Sequence, residues 1–146
     1  MTTGNVDILL IEDSLDDAEM TVRALRKINL ANNIMHVENG QDALDFLFGN
    51  GKFKNHKLTS QPKVILLDIK MPKVDGIEVL RRVKSDKTTR MIPVVIMTSS
   101  AEEKDLVTSY RLGANSYVVK PVDFENFART VSELGLYWLL ANRTIQ

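Results

Sequence analysis

The sequence predicts a single domain of the α/β class, built as a doubly wound, parallel sheet of five strands with helices on both faces. Short apolar runs alternate about five times with segments of helical periodicity. The central run, 64–67, is apolar without alternation, which is typical of a parallel strand buried on both sides. The 146 residues suffice for one core, so we expect a single domain over 1–146.

The first half of the chain is predicted to contain two strands and two helices. A strand over 6–11 is followed by Ser14 and Asp17, whose spacing fits the capping box that begins a helix. A short strand over 34–38 precedes a short helix, which Gly49 ends. The stretch 49–62 lacks periodicity and is rich in lysine. We interpret this basic loop as a solvated connection, with docking of a partner as the alternative.

The second half repeats the alternation of strand and helix. The central strand ends at Asp68, and turn signals at 71–76 prepare the helix that follows. A strand over 94–97, a further helix and a strand over 117–119 come next. Residues 123–146 are predicted to form one extended C-terminal helix and tail.

The composition excludes several function classes. Lys plus Arg and Asp plus Glu each number 19, so the net charge is zero and favours neither nucleic acid nor an anionic membrane. The lack of cysteine excludes disulfides and thiolate chemistry and fits the cytoplasm. No apolar run approaches the ~20 residues of a membrane span, and the N-terminus does not have the pattern of a signal peptide. We therefore expect a cytoplasmic protein that binds neither nucleic acid nor membranes.

Polar residues suited to phosphate chemistry follow every predicted strand except the second. They are Glu12 and Asp13 after the first strand, Asp68 after the third, Thr98 after the fourth and Lys120 after the fifth. In the strand order 2-1-3-4-5, the first and third strands are neighbours at the topological switch point, where ligands bind. The three carboxylates would then crowd together and favour a hard divalent cation, Mg²⁺ above all. With a hydroxyl donor and an ammonium beside them, these are the parts for phosphoryl transfer onto a carboxylate.

Each of these residues also has a structural interpretation. Asp68 alone could cap the next helix, Thr98 could begin a helix, and Lys120 could be a surface lysine. Asp16 and Asp17 are expected to be helix-start charges favoured by the helix dipole.

Taken together, these motifs resemble the receiver domain of two-component response regulators, over about residues 6–131. The matching residues are Glu12-Asp13, Asp68 before Met71-Pro72 and Asp75-Gly76, Thr98-Ser99 and Lys120-Pro121. The resemblance implies a flavodoxin-like fold. It also implies that Asp68 receives a phosphoryl group from a histidine kinase. Mg²⁺ would be held by Glu12, Asp13, Asp68 and the backbone carbonyl of Lys70.

The resemblance further implies a conformational switch. Thr98 and Lys120 would contact the phosphoryl group. The aromatic ring of Tyr117 would turn inward when Thr98 moves, although Tyr117 alone would be interpreted as a half-buried strand residue.

A narrower resemblance is to the single-domain regulators associated with cyanobacterial and bacterial phytochromes. It rests on 43–47, the basic loop 49–62 and the tail segment 137–140. The implied partner is a sensor histidine kinase, with a phytochrome as the candidate. Glu12 replaces the aspartate that many receivers carry, which leaves the affinity for Mg²⁺ open.

Three other functions are compatible with this fold. A flavin mononucleotide carrier would need phosphate donors where Glu12-Asp13-Ser14 stands, and a colourless protein would exclude it. An aspartate-nucleophile phosphatase usually has a second acid two residues after the nucleophile, where this chain has Lys70. A phosphorylation-independent scaffold has usually lost part of the acidic cluster.

We therefore predict a stand-alone phosphoacceptor domain rather than an enzyme, with self-phosphorylation and self-dephosphorylation as its limited reactions. Its output would pass to an unknown downstream protein or phosphotransfer domain. In the tail, Leu136, Tyr137, Leu139 and Leu140 lie largely off the apolar stripe of the predicted last helix. These residues predict a homodimer, with folding of the tail onto its own domain as the alternative.

Overall fold

The computed structural model describes residues 2–3, 6–27, 33–54, 57–58, 61–69, 75–98 and 108–135. Five strands form its main sheet: β1 (Ile8–Ile11), β2 (Ile34–Val37), β3 (Val64–Asp68), β4 (Val94–Thr98) and β5 (Ser116–Val119). All neighbouring strands pair in parallel, in the order β2-β1-β3-β4-β5. The predicted doubly wound order 2-1-3-4-5 is thereby confirmed.

Helices cover both faces of this sheet. They are α1 (Leu15–Lys27), α2 (Gly40–Phe48), α3 (Gly76–Ser85), α4 at 108–111 and α5 (Phe124–Glu133). One apolar core packs α2 and α3 against the sheet, and the other packs α1 and α5 against its opposite face. Among the described residues, none of the helices has the length and apolar character needed to cross a membrane.

The alternation of side chains along β1 explains how one strand serves both cores. Leu9 and Ile11 belong to the α2–α3 core, whereas Ile8 and Leu10 belong to the α1–α5 core. Successive side chains of a strand point to opposite faces, so a strand covered on both sides must be apolar throughout. β3 follows the same rule, and every one of its residues is buried.

Side-chain caps fix where the helices begin. Asn39, Asp75 and Asp123 each accept a hydrogen bond from a backbone N–H in the first turn of α2, α3 and α5. The N–H of Asp17 donates to Ser14 Oγ at 3.2 Å, as the capping-box spacing predicts. Gly49 ends α2 with φ 70°, a left-handed conformation that glycine adopts without strain.

The basic loop is more ordered than predicted. It contains a 3₁₀ turn at Gly51–Phe53, and Lys57–Leu58 pairs in parallel with Thr2–Thr3 near the N-terminus. Phe53 is buried with its ring centroid 5.2 Å from that of Phe46 in α2. The aromatic contact anchors the start of the loop, so the prediction of a wholly solvated connection is wrong for this part.

The last helix is shorter than predicted. α5 ends at Glu133, and Gly135 adopts φ 69° after it. The N–H of Leu134 bonds to the carbonyl of Thr130, and the N–H of Gly135 bonds to that of Ser132, which closes the final turn. One uninterrupted helix from Asp123 is therefore wrong. The tail itself, 136–146, lies outside the described residues.

Candidate functional site at the strand tips

Three carboxylates meet where β1 and β3 end. Glu12 and Asp13 directly follow β1, and Asp68 is the last residue of β3. One carboxylate oxygen of each lies within 4.8 Å of the other two. Glu12 is fully buried, Asp68 is nearly so, and Asp13 is exposed. We call these three residues the acid pocket; their predicted proximity is confirmed.

Lys120 reaches into the acid pocket from the end of β5. Its Nζ lies 2.8 Å from Glu12 Oε1 and 3.1 Å from Asp68 Oδ2. Its backbone N–H donates to the carbonyl of Thr98 at 2.8 Å, which ties the end of β5 to the end of β4. The Lys120–Pro121 peptide bond is cis. Lys120 is therefore not the freely solvated surface lysine of the structural interpretation.

Burial and the crowding of charged groups shift the pKa values of Glu12 and Lys120. Burial, together with the nearby Asp68 carboxyl, raises the pKa of Glu12 to about 7, and contact with Lys120 only partly offsets this. Burial alone would lower the pKa of Lys120, but its contacts with Glu12 and Asp68 outweigh burial and raise it above the ordinary range. Lys120 thus stays cationic and partly compensates the crowded carboxylates.

The backbone of Glu12 is held from the neighbouring strand. Its N–H donates to the carbonyl of Val37 at 3.1 Å, and its own carbonyl accepts from His36 Nε2 at 2.8 Å. The Glu12 side chain accepts from the N–H of Ser14 at 3.2 Å. The parallel register of β1 and β2, which pairs His36 with Leu10, explains how His36 reaches the site.

Glycine at the start of α3 lets that helix pack against the backbone of the phosphoacceptor candidate. The N–H of Gly76 bonds to the carbonyl of Ile69 at 2.8 Å. A Cβ on Gly76 would overlap the Asp68 carbonyl oxygen and lie 2.6 Å from Ile69 Cα. The sequence marks Gly76 as a turn residue, but its close approach to the Asp68 backbone is visible only in the structure.

Thr98 and Tyr117 lie on the next two strands. Thr98, the last residue of β4, is half-buried, and Tyr117 in β5 is 39% exposed. Burial is the main cause of the raised pKa of Tyr110 in α4. The nearby Tyr117 raises this pKa further, and a hydrogen bond with Ser116 lowers it. Tyr117 is thus on the surface of the domain, beside α4.

One contact in the site is absent from the sequence analysis. Asp17 Oδ2, in the first turn of α1, lies 3.3 Å from Lys120 Nζ. Its acidic character at a helix start has an adequate local explanation, so no signal in the sequence separates it from Asp16. Lys70, whose backbone carbonyl is a predicted ligand, lies outside the described residues, as do Met71-Pro72 and Ser99.

The donor set fits a hard divalent cation. Oxygen atoms from three carboxylates converge at the carboxyl ends of adjacent parallel strands. The excess of carboxylates over the single ammonium of Lys120 in this part of the described structure favours a further positive charge. These observations define a doubly wound α/β domain with an acidic site whose oxygen donors suit a divalent cation.

Comparison with known proteins identifies the family. A family model described as the response regulator receiver domain matches residues 8–132. The probable methanogenesis regulatory protein FilR2 of Methanothrix harundinacea is 40% identical over 140 residues, covering 94% of this chain and 86% of the relative.

Two solved structures are also similar. The bacteriophytochrome response regulator AtBRR is 48% identical with a TM-score of 0.84, covering 95% of this chain and 99% of that one. The Mn²⁺-bound form of response regulator Rcp1, a protein of Synechocystis sp., is 32% identical with a TM-score of 0.75, covering 97% and 99% of the two chains.

The chain therefore belongs to the response regulator receiver domain family, as the sequence resemblance predicts. Phosphorylation by a histidine kinase is the general role of this domain. The similarity to bacteriophytochrome response regulators confirms the narrower resemblance. Membership in this family favours the signalling interpretation over a flavin carrier or a phosphatase.

Proposed function

We propose that Asp68 accepts the phosphoryl group and that Glu12, Asp13 and Asp68 hold a Mg²⁺ ion beside it. The observation that carries the proposal is the position of Asp68, nearly buried in the acid pocket with one carboxylate oxygen 3.1 Å from Lys120 Nζ. The backbone carbonyl of Lys70, outside the described residues, is proposed as a further ligand. When bound, the ion neutralises charge on the transferred group.

The reaction joins an Asp68 oxygen to phosphorus while the bond from phosphorus to the donor's histidine nitrogen breaks. The electron pair of that bond stays on the nitrogen, and a proton on the other ring nitrogen makes the leaving group a neutral imidazole. The product on this chain is an acyl phosphate. Asp68 is the nucleophile, and one of its carboxylate oxygens lies 3.1 Å from Lys120 Nζ. Lys120 then donates a hydrogen bond to a phosphoryl oxygen, and the Thr98 hydroxyl donates another. Limited self-phosphorylation from small donors and loss of the group to water are the only reactions we assign.

Phosphorylation is proposed to change a protein-binding surface formed by α4 and β5. The Thr98 hydroxyl moves toward the phosphoryl group, and the partly exposed Tyr117 ring turns into the space that it leaves. The hydrogen bond from Lys120 N–H to the Thr98 carbonyl couples the two strand ends that carry these changes. Two-state elements of this kind transmit a local charge change to a surface.

We infer that the partners are a sensor histidine kinase, with a phytochrome as the candidate, and a downstream protein or phosphotransfer domain. We also propose a homodimer through the apolar tail and a cytoplasmic location. Nucleic acid and membranes are not expected as partners, because the net charge is zero.

The acceptor is tested with Mg²⁺ and a small acyl phosphate donor. The intact protein should gain one phosphoryl mass, and Asp68→Asn should not, because an amide is not a competent nucleophile here. Amide hydrogen exchange over 108–119 should change on phosphorylation of the intact protein, and less in Thr98→Ala. Undiminished labelling of Asp68→Asn would refute the assignment of the acceptor.

A further inference from the structure

The ammonium of Lys120 contacts carboxylates of two different kinds. Glu12 Oε1 at 2.8 Å and Asp68 Oδ2 at 3.1 Å belong to the acid pocket, whereas Asp17 Oδ2 at 3.3 Å belongs to the first turn of α1. The ammonium donates hydrogen bonds to Asp17 and Asp68, whereas its contact with Glu12 is an ion pair. Asp17 does not belong to the group of carboxylates that converge within 4.8 Å.

A divalent cation in the acid pocket would compete with Lys120. Mg²⁺ binds carboxylate oxygens at about 2.0–2.1 Å, so it would share Glu12 and Asp68 with the ammonium and repel it. The Asp17 contact does not face this competition. Its carboxylate is the most exposed of the three that touch Lys120, with 43% of the side chain exposed against 0% for Glu12 and 8% for Asp68.

Asp17 is held where it can serve this purpose. Its backbone N–H donates to Ser14 Oγ at 3.2 Å, and its carbonyl accepts from the Thr21 hydroxyl at 2.8 Å. Thr21 is buried, so this turn of α1 is anchored in the domain. The carboxylate therefore has a defined position beside Lys120, although 43% of its side chain is exposed.

From these contacts we propose that Asp17 is a positioning residue for Lys120, retaining the ammonium beside the acid pocket when a divalent cation takes its place on Glu12 and Asp68. Lys120 then remains beside the Asp68 carboxylate, ready to meet an oxygen of the incoming phosphoryl group. The proposal rests on the proposed function for the role of Lys120, but the exchange of cations can be measured without any phosphoryl donor.

The matched control is Asp16, the preceding residue in the same turn. Asp16 is exposed and also carries a negative charge near the start of α1. Asp16→Asn therefore reproduces the loss of charge and of its interaction with the helix dipole, without removing a contact to Lys120. Asp17→Glu keeps the charge on a longer side chain and serves as the conservative variant.

The experiment titrates each purified protein with Mg²⁺ and follows binding by calorimetry and the Lys120 side-chain resonances by NMR, assigned with Lys120→Arg. Asp17→Asn should bind Mg²⁺ about 1.5- to fivefold more weakly than Asp16→Asn, the range expected of a partly exposed ion pair. The Lys120 resonances of the Mg²⁺-loaded protein should differ from wild type in Asp17→Asn, and Asp17→Glu should recover most of both effects.

Equal Mg²⁺ affinities in Asp17→Asn and Asp16→Asn, or unchanged Lys120 resonances, would overturn the proposal. So would a wild-type protein in which Mg²⁺ leaves the Lys120 resonances unaltered. Thermal unfolding in chelator verifies that each variant is folded. Failure of the proposed function is distinguished by the labelling experiment, because Mg²⁺ titration does not depend on whether Asp68 accepts a phosphoryl group.

Discussion

Lys120 illustrates how a residue acquires a role from its surroundings. The same side chain on an exposed helix would be solvated and weakly paired, and such pairs contribute little to stability. Here its ammonium is mostly shielded from water and faces carboxylates from α1, the end of β1 and the end of β3. Removing it would leave buried carboxylates uncompensated, which costs far more than a surface pair.

At the residue scale, Asp13→Ala tests the acid pocket itself. Removing one of the three crowded carboxylates relieves repulsion, so the variant should melt about 1–2 °C higher than wild type in chelator. The Mg²⁺-dependent rise in melting temperature should disappear, because a ligand stabilises the native state only when its concentration exceeds its dissociation constant appreciably. Differential scanning fluorimetry with and without Mg²⁺ measures both effects.

Asp16→Ala is the control for Asp13→Ala, since it removes an exposed acid that lies outside the acid pocket. It should keep the Mg²⁺ response. If Asp13→Ala instead melts lower in chelator and still responds to Mg²⁺, Asp13 is not a ligand of the ion.

Elements position the site through backbone contacts as much as through side chains. β1 and β3 bring Glu12 and Asp68 together because they are neighbours in the sheet, although they are distant in the sequence. Gly76, the first residue of α3, packs directly against the end of β3, and the backbone there leaves no room for a side chain on residue 76. The close contact of Gly76 with the backbone of Asp68 and Ile69 restrains the position of that backbone.

At the element scale, Gly76→Ala tests this packing. The added methyl group must displace the backbone at Asp68 and Ile69, and overpacking of this kind costs about 1–3 kcal/mol of unfolding free energy. The shift should also weaken Mg²⁺ binding, because Asp68 moves relative to Glu12. Chemical denaturation and Mg²⁺ titration measure the two effects.

Gly49→Ala provides the matched comparison for Gly76→Ala. Gly49 has a left-handed conformation, so alanine there costs about 1–2 kcal/mol through the backbone alone. Its Cβ would meet nothing within 4 Å, and Gly49 lies at the far end of α2. Unchanged Mg²⁺ affinity in both variants would contradict a positioning role for Gly76.

In the described part of the molecule, the main sheet has an apolar core on each face and polar residues at the carboxyl ends of its strands. The side chains on the two faces of β1, β3 and β4 pack against different helix pairs, and the residues of the functional site lie outside both cores, at the carboxyl ends of the strands. β2 and β5 are the edges of the main sheet, and β5 carries the exposed side chains of Tyr117 and Val119. Edge strands of this kind are available to partners.

At the scale of the whole molecule, the proposed homodimer is tested by light scattering. The intact chain should run as a dimer at high concentration, whereas Leu140→Glu and a chain ending at Gly135 should run as monomers, because each loses apolar tail surface. The shortened chain keeps the hydrogen bonds that close the last turn of α5. If the intact chain and both variants are all monomeric, with and without phosphorylation, the tail is not a dimer interface.

The strands and the strand-tip residues follow from the sequence because each depends on a local pattern. A parallel strand buried on both faces must be apolar, so the run 64–67 indicates both a strand and a central position in the sheet. The residue that follows this run therefore lies at the carboxyl end of a central strand, where ligands bind. The family follows for the same reason, since its motifs sit at those strand ends. The caps at Asn39 and Gly49 are equally local.

Contacts between residues far apart in the chain were decided only by the tertiary structure. The pairing of Asp17 with Lys120, the hydrogen bond from His36 to Glu12 and the close approach of Gly76 to Asp68 depend on how α1, β2 and α3 are placed around the sheet. No periodicity or spacing encodes these distances.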